Sequence, residues 1–166
     1  SDKVLSPHGG KGQHAICYTD EDIITLAFQA CEKIESEIDA ILFSTTTPVF
    51  KDRYHSSNLA DLLGLKEGVF ALDLGSTNRA GTDAIVLADR LLKSGSNENI
   101  LIVATDVHYP AIGNEAKSSF GHAAVAMVLS NNDGIAKITE AKTYSSAMSE
   151  EFIYKGEKTQ YDSRFA

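Results

Sequence analysis

Val69-Phe-Ala-Leu-Asp-Leu-Gly-Ser-Thr-Asn-Arg-Ala-Gly-Thr-Asp-Ala-Ile85 carries an apolar strand pattern into a helical one through a small, polar turn. Val69 to Leu74 reads as a buried strand. From Arg79 onward, Ala80, Ala84, Ile85, Ala88, Leu91 and Leu92 recur at helical spacing until Ser94-Gly95. A strand-to-helix turn at the carboxyl edge of a sheet is where many α/β proteins hold ligands and reactive atoms. Backbone N–H groups at a helix start carry partial positive charge, so this turn suits a thiolate, an oxyanion or a phosphate. The residue at the first turn of the helix is Asn78.

The flanking sequence sets this turn in a repeated pattern. Thr19-Asp-Glu-Asp22 supplies a cap and an acidic first turn, and Ile23, Leu26, Ala27, Ala30, Cys31 and Ile34 follow on one helical face to about Glu35. Ile38 to Ser44 reads as a buried strand ending in Thr45-Thr46-Thr47-Pro48, where proline stops the ladder and a loop with Lys51, Arg53 and His55 begins. A short helix over Ser57 to Leu63 closes at Gly64. Ile100 to Ala104 is apolar without alternation, which predicts a strand covered on both faces. After the loop Thr105 to Ser118, Ala123 to Leu129 reads as a fourth strand, and Asn131-Asn-Asp-Gly134 as a hairpin turn into a fifth, Ile135 to Tyr144. The order βαβαβ followed by an antiparallel pair predicts an α/β layer with a mixed sheet. Residues 1 to 17 read as an irregular lead-in. Residues 148 to 166 read as an extended arm beyond a domain spanning 1 to 147.

Composition narrows the function classes. The 166 residues are 43% hydrophobic and 23% charged, as expected for one globular core. A net charge of -8 with no run of Lys or Arg argues against nucleic acid as a partner. The longest apolar runs fall far short of the roughly 20 residues that span a bilayer. The first residues lack the pattern of a secretory signal. Cys17 and Cys31 make neither a disulfide framework nor metal-ligand spacing, so no metal and a reduced cytoplasm are expected.

Three readings of the central turn compete. Thr77 or Asn78 as a helix cap with Gly75 in a tight turn would carry no chemistry. Asp73-Leu-Gly-Ser-Thr77 looks like the phosphate loop of the actin and sugar-kinase superfamily, but that loop joins two strands, whereas helical periodicity follows here. The third reading covers almost the whole chain. Asp73-Leu-Gly-Ser-Thr-Asn-Arg-Ala-Gly-Thr82 resembles the N-terminal half of the thiolase superfamily, especially archaeal-type HMG-CoA synthases and ketoacyl synthase III. Tyr18-Thr-Asp-Glu-Asp-Ile-Ile-Thr-Leu-Ala27, Ser44 to Pro48 with Ser57 to Gly64, and Ser119-Phe-Gly-His-Ala-Ala-Val-Ala-Met127 support it in order and spacing.

The resemblance implies a thiolase-like half with a five-stranded mixed sheet and helices on both faces. It implies an acyltransferase domain binding acyl-CoA or acyl-carrier thioesters, with a coenzyme A thioester as ligand. A homodimer or a second thiolase-like half would complete it, with the strand Val69 to Leu74 at the interface. The family's acyl-accepting cysteine stands five residues after the strand aspartate and three before the helix glycine, and both counts land on Asn78. An amide cannot attack a thioester as a thiolate does. The loop Thr45-Thr46-Thr47 follows the ketoacyl synthase pattern and lacks the carboxylate that HMG-CoA synthases use as acid and base. Thr46, Thr47, Arg79 and His108 are the expected substrate-binding residues, Arg79 with Lys51 and Arg53 as candidates for coenzyme A phosphates. The fragment alone should not complete a Claisen condensation. The alternative from another class is a noncatalytic scaffold or regulatory subunit.

Overall fold

A computed structural model describes residues 2–5, 13–75, 77–108, 121–132, 134–145, 151–152 and 161–162. Ser76 of the central turn, Asp133, loop residues 109–118, Ser119 and Phe120 of the last motif, and most of residues 148–166 lie outside the described residues.

The main sheet has four strands in the order β4-β3-β5-β6: β3 (Ala40–Ser44), β4 (Phe70–Leu74), β5 (Asn99–Asp106) and β6 (Ala123–Ser130). β3 is parallel to both β4 and β5, pairing Leu42 with Leu72 on one side and Ile102 on the other, while β6 runs antiparallel to β5. The layer is the expected mixed α/β sheet, one strand smaller than expected. Residues 134–145 form no ladder with the described residues, and Ile135 is fully exposed. The hairpin signal at Asn131-Gly134 is thus followed by no paired return strand among the described residues. Two further strand pairs stand outside the sheet. β1 (Asp2–Leu5) and β2 (Gln13–Ile16) form an antiparallel pair where an irregular lead-in was expected, and β7 (Glu151–Phe152) pairs with β8 (Tyr161–Asp162).

Helices cover both faces, as expected. Against one face pack α1 (Ile23–Cys31) and α2 (His55–Leu62), burying Ile23, Ala27 and Leu59 against Ile41, Phe43, Leu101 and Val103. Against the other packs α3 (Ala80–Lys93), whose Ala84, Ala88 and Leu92 meet Ala40, Leu42, Ile100 and Ile102. Small residues at four-residue spacing let this helix lie close to the sheet. The central strands β3 and β5 are therefore apolar on both faces.

The helix ends follow local chemistry. Asp22 caps α1: its Oδ1 accepts from the Ile24 and Thr25 N–H groups at 2.9 Å each, and its own N–H donates to Thr25 Oγ1 at 2.7 Å. The helix stops at Cys31 rather than Glu35, and because it starts at Ile23 the acidic residues precede it instead of filling its first turn. Gly64 and Gly95, with φ of 63° and 76°, end α2 and α3 in the left-handed conformation that glycine tolerates best. No helix among the described residues is long and apolar enough to cross a membrane.

Candidate functional site

Three turns meet at the carboxyl edge of the parallel strands: residues 45–54 after β3, 75–79 after β4, and 106–108 after β5. This is where open α/β sheets hold ligands.

The first two turns are joined through a half-buried aspartate. Asp73 lies in β4, and its Oδ2 accepts from the His55 N–H at 2.8 Å while Oδ1 accepts from the Ser56 N–H at 2.9 Å. These are the first N–H groups of α2, which has no side-chain cap of its own, so a neighbouring strand supplies the cap. The ring of His55 fixes the other half of the arrangement. Its Nε2 accepts from the N–H groups of Val49 and Phe50 at 3.1 Å each, which leaves the proton on Nδ1 to be donated to Asp73 Oδ2 at 2.7 Å. His55 is 2% exposed, stacked with Phe43 and Phe50 at centroid distances of 5.5 and 5.4 Å. Burial by itself would raise the Asp73 pKa, but hydrogen bonding from Ser56 and His55 outweighs it and holds the carboxyl below its ordinary value.

Gly75 follows directly. A Cβ on it would lie 3.1 Å from the carbonyl oxygen of Thr45, and the Thr45 N–H donates to the Leu74 carbonyl at 3.1 Å. The turns after β3 and β4 therefore rest on each other. Thr77 braces the second: its Oγ1 accepts from the Arg79 N–H at 3.3 Å and its carbonyl from the Ala80 N–H at 3.0 Å. The N-cap of α3 is Arg79, without a side-chain cap hydrogen bond, rather than Thr77 or Asn78. Asn78 is exposed, and its side chain makes no hydrogen bond to a described residue. Arg79 spans from Asp83, at 3.0 Å, to the carbonyl of Tyr144, at 3.3 Å.

Thr46 and Thr47 are drawn to a carboxylate that the loop itself lacks. Asp106, at the end of β5, brings Oδ1 within 2.7 Å of the Thr46 N–H, 2.9 Å of Thr45 Oγ1, and 3.1 Å of Thr46 Oγ1, the Thr47 N–H and Thr47 Oγ1. His108 is half-buried, and its carbonyl accepts from Nε2 of buried His122 at 3.2 Å. Nδ1 of His122 accepts the Cys17 N–H at 3.0 Å, which places the proton on Nε2.

A cleft of about 290 Å³ opens between residues 48–54 and the Gly75 turn, with Lys51, Arg53, Tyr54, His55 and Asp73 in its walls. None of Thr46, Thr47, Asn78, Arg79 or His108 lines it. Sequence reasoning missed His55, Asp73 and Asp106 as organisers of the site. The available signal was a charged residue inside the otherwise apolar run Val69 to Leu74, since a carboxylate drawn partly out of water requires partners. Among the described residues no group of His, Cys, Asp and Glu is arranged to hold a metal ion.

No family model matches the chain. It is 30% identical over 141 residues to a hydroxymethylglutaryl-CoA synthase of Caldivirga maquilingensis, covering 81% of this chain and 40% of that protein. It is 27% identical over 143 residues to a β-ketoacyl-[acyl-carrier-protein] synthase III of Aliivibrio fischeri, covering 80% of this chain and 45% of that one. Among solved structures, the HMG synthase of the curacin biosynthetic pathway in complex with holo donor-ACP superposes with a TM-score of 0.65 at 21% identity, over 70% of this chain and 31% of that chain. The chain thus spans less than half the length of these relatives.

Proposed function

Because the chain is homologous to HMG-CoA synthases and ketoacyl-ACP synthases III and carries their thiolase-like fold, we propose that it is an acyl-thioester-binding domain of the condensing-enzyme type. The observation that carries this reading is the β4–α3 turn. An exposed Asn78 stands just before a 14-residue helix, at the carboxyl edge of the sheet; by its spacing from Asp73 and Gly81 it would take the acyl-accepting position of the family pattern. Helix N–H groups favour a polarised carbonyl oxygen there, and the Asn78 amide would orient that carbonyl without forming a covalent acyl intermediate. Noncovalent chemistry on a thioester, such as decarboxylation, fits such a site better than Claisen condensation. Thr46, Thr47, Arg79 and His108 would surround the ligand, coenzyme A or a carrier protein would deliver it, and Lys51 and Arg53 would meet its phosphates.

The domain would work as a homodimer or beside a second thiolase-like half. In support, β4 pairs with β3 on one side only among the described residues, and Phe70 at its start is 48% exposed. Val125 and Met127 on β6 are likewise uncovered. Two free, buried thiols fit a reducing cytoplasm. A scaffold that keeps the fold without the chemistry is the second reading, favoured by the amide at position 78. Calorimetry with acetyl-CoA separates the two. Saturable binding with no acyl adduct by intact mass is expected, and absence of binding at millimolar ligand would overturn the thioester reading and leave the scaffold.

A further inference from the structure

We propose that Asp106 is a positioning residue for the turn that carries Asn78, acting through the threonine turn after β3. The proposal rests on the reading of that turn as an acyl site, but its test does not require a ligand.

The carboxylate is placed by the sheet. β5 lies beside β3 with Ser44 opposite Ala104, so two residues further on Asp106 reaches the turn that follows β3. There its Oδ1 meets five donors, two backbone N–H groups and three hydroxyls, between 2.7 and 3.1 Å. A carboxylate oxygen has two lone pairs, so the five donors share this one atom. The two N–H groups belong to consecutive residues, Thr46 and Thr47, and their directions are fixed by the backbone. Binding both to one oxygen therefore sets the conformation of the turn. Thr47 Oγ1 extends the clamp by accepting the Val107 N–H at 3.0 Å.

Position is then passed across to the second turn. The Thr45 hydroxyl is held by Asp106, its N–H by the Leu74 carbonyl, and its own carbonyl oxygen sits 3.1 Å from where a Gly75 Cβ would be. Thr45 is 5% exposed, so it has little room to shift alone. Loss of Asp106 frees Thr45 and, with it, the surface on which Gly75 rests, three residues before Asn78. A carboxylate serving only to staple β3 to β5 would stabilise the fold without affecting the environment of position 78.

A thiol introduced as Asn78→Cys reports that environment, because a thiolate gains from a correctly placed helix terminus. Alkylation by iodoacetamide is followed against pH, with peptide mapping to exclude Cys17 and Cys31, in Asn78→Cys alone and with Asp106→Asn or Asp106→Ala. Loss of about one unit of thiol pKa depression lowers the thiolate fraction about tenfold, and the greater nucleophilicity of the more basic thiolate returns half of the logarithm. The expected result is an upward-shifted pH profile and about threefold slower alkylation near neutral pH in Asp106→Ala. Asp106→Asn, which keeps an oxygen for the two N–H groups, should recover part of this. If Asp106→Ala does not fold by circular dichroism, Asp106→Asn against the parent decides. Superimposable pH profiles in folded proteins would overturn the proposal and leave Asp106 a staple. Failure of acetyl-CoA to bind would instead overturn the thioester reading and leave this result standing.

Discussion

Replacing Asp73 with alanine strands the start of α2. The carboxylate accepts from two N–H groups on residues 2% and 0% exposed and from the ring of His55 at 2.7 Å. A hydrogen bond to a charged group contributes about 1.5–3 kcal/mol. The three are not additive, because they share one carboxylate and the adjoining cleft admits water. Each buried N–H left without a partner costs about 1–3 kcal/mol, so stranding the three, with water reaching part of the site, should cost about 3–5 kcal/mol, a large share of the roughly 5–15 kcal/mol by which domains are stable. Urea unfolding at neutral pH, followed by circular dichroism, should show the midpoint falling by about 2 M with the slope unchanged. Asp73→Asn should fall between, since it keeps an oxygen for the helix but turns an amide N–H toward Nδ1–H. Asp83→Ala, which removes an exposed pair with Arg79, should cost no more than about 0.5 kcal/mol. Because folding lowers the Asp73 pKa, its contribution is fully present above the ordinary carboxylate range and is lost as pH falls through the folded value. The gap between the natural chain and Asp73→Ala should therefore narrow below about pH 4. A loss under about 1 kcal/mol at neutral pH would refute the view that this carboxylate holds α2 and residues 49–55 together.

Three further outcomes are expected. Burial pushes the Cys31 thiol up to about 11, so in the native protein it should resist aromatic disulfide reagents at mildly alkaline pH and react once unfolded; ready native reaction would contradict its packing against the sheet. The Lys66 ammonium at 2.9 Å, with the N–H groups of Glu98 and Asn99, holds the Asp39 carboxyl at about 2, so Lys66→Met should move its carbon-13 titration midpoint upward but leave it below the ordinary value; an unmoved midpoint would deny the ion pair. If β4 pairs across a two-fold axis, Ala71→Pro removes an N–H from its free side while sparing the Phe70 N–H that bonds Asp39 on the β3 side, so sedimentation should find a dimer for the natural chain and a monomer for the variant; a monomeric natural chain would refute the edge pairing.

The main layer was legible because its signals are local. The runs Ala40–Phe43 and Ile100–Ala104 lack polar residues and lie in the doubly covered strands, and the alanine spacing after Arg79 is the buried face of α3. Short β1 and β2 have no alternation to read, so nothing in their four residues each announces the pairing. The strand expected over Ile135 to Tyr144 follows turn-type residues, but turn chemistry favours only a chain reversal, and a ladder also needs a face to bury. α2 begins at His55 rather than Ser57 because its cap arrives from Asp73, 18 residues away. The same holds at the site. The threonine turn has no carboxylate of its own in the sequence; Asp106 reaches it from 60 residues further along the chain.

The central claim is that the β4–α3 turn holds the acyl group of a thioester with Asn78 in the acyl-accepting position. Asn78→Cys, incubated with acetyl-CoA and mapped by peptide mass spectrometry, tests it most directly. The account predicts an acetyl group on the introduced thiol and none on Cys17 or Cys31, while the natural chain stays unmodified. A folded Asn78→Cys protein that remains unacetylated, with its new thiol reactive toward iodoacetamide, would contradict it.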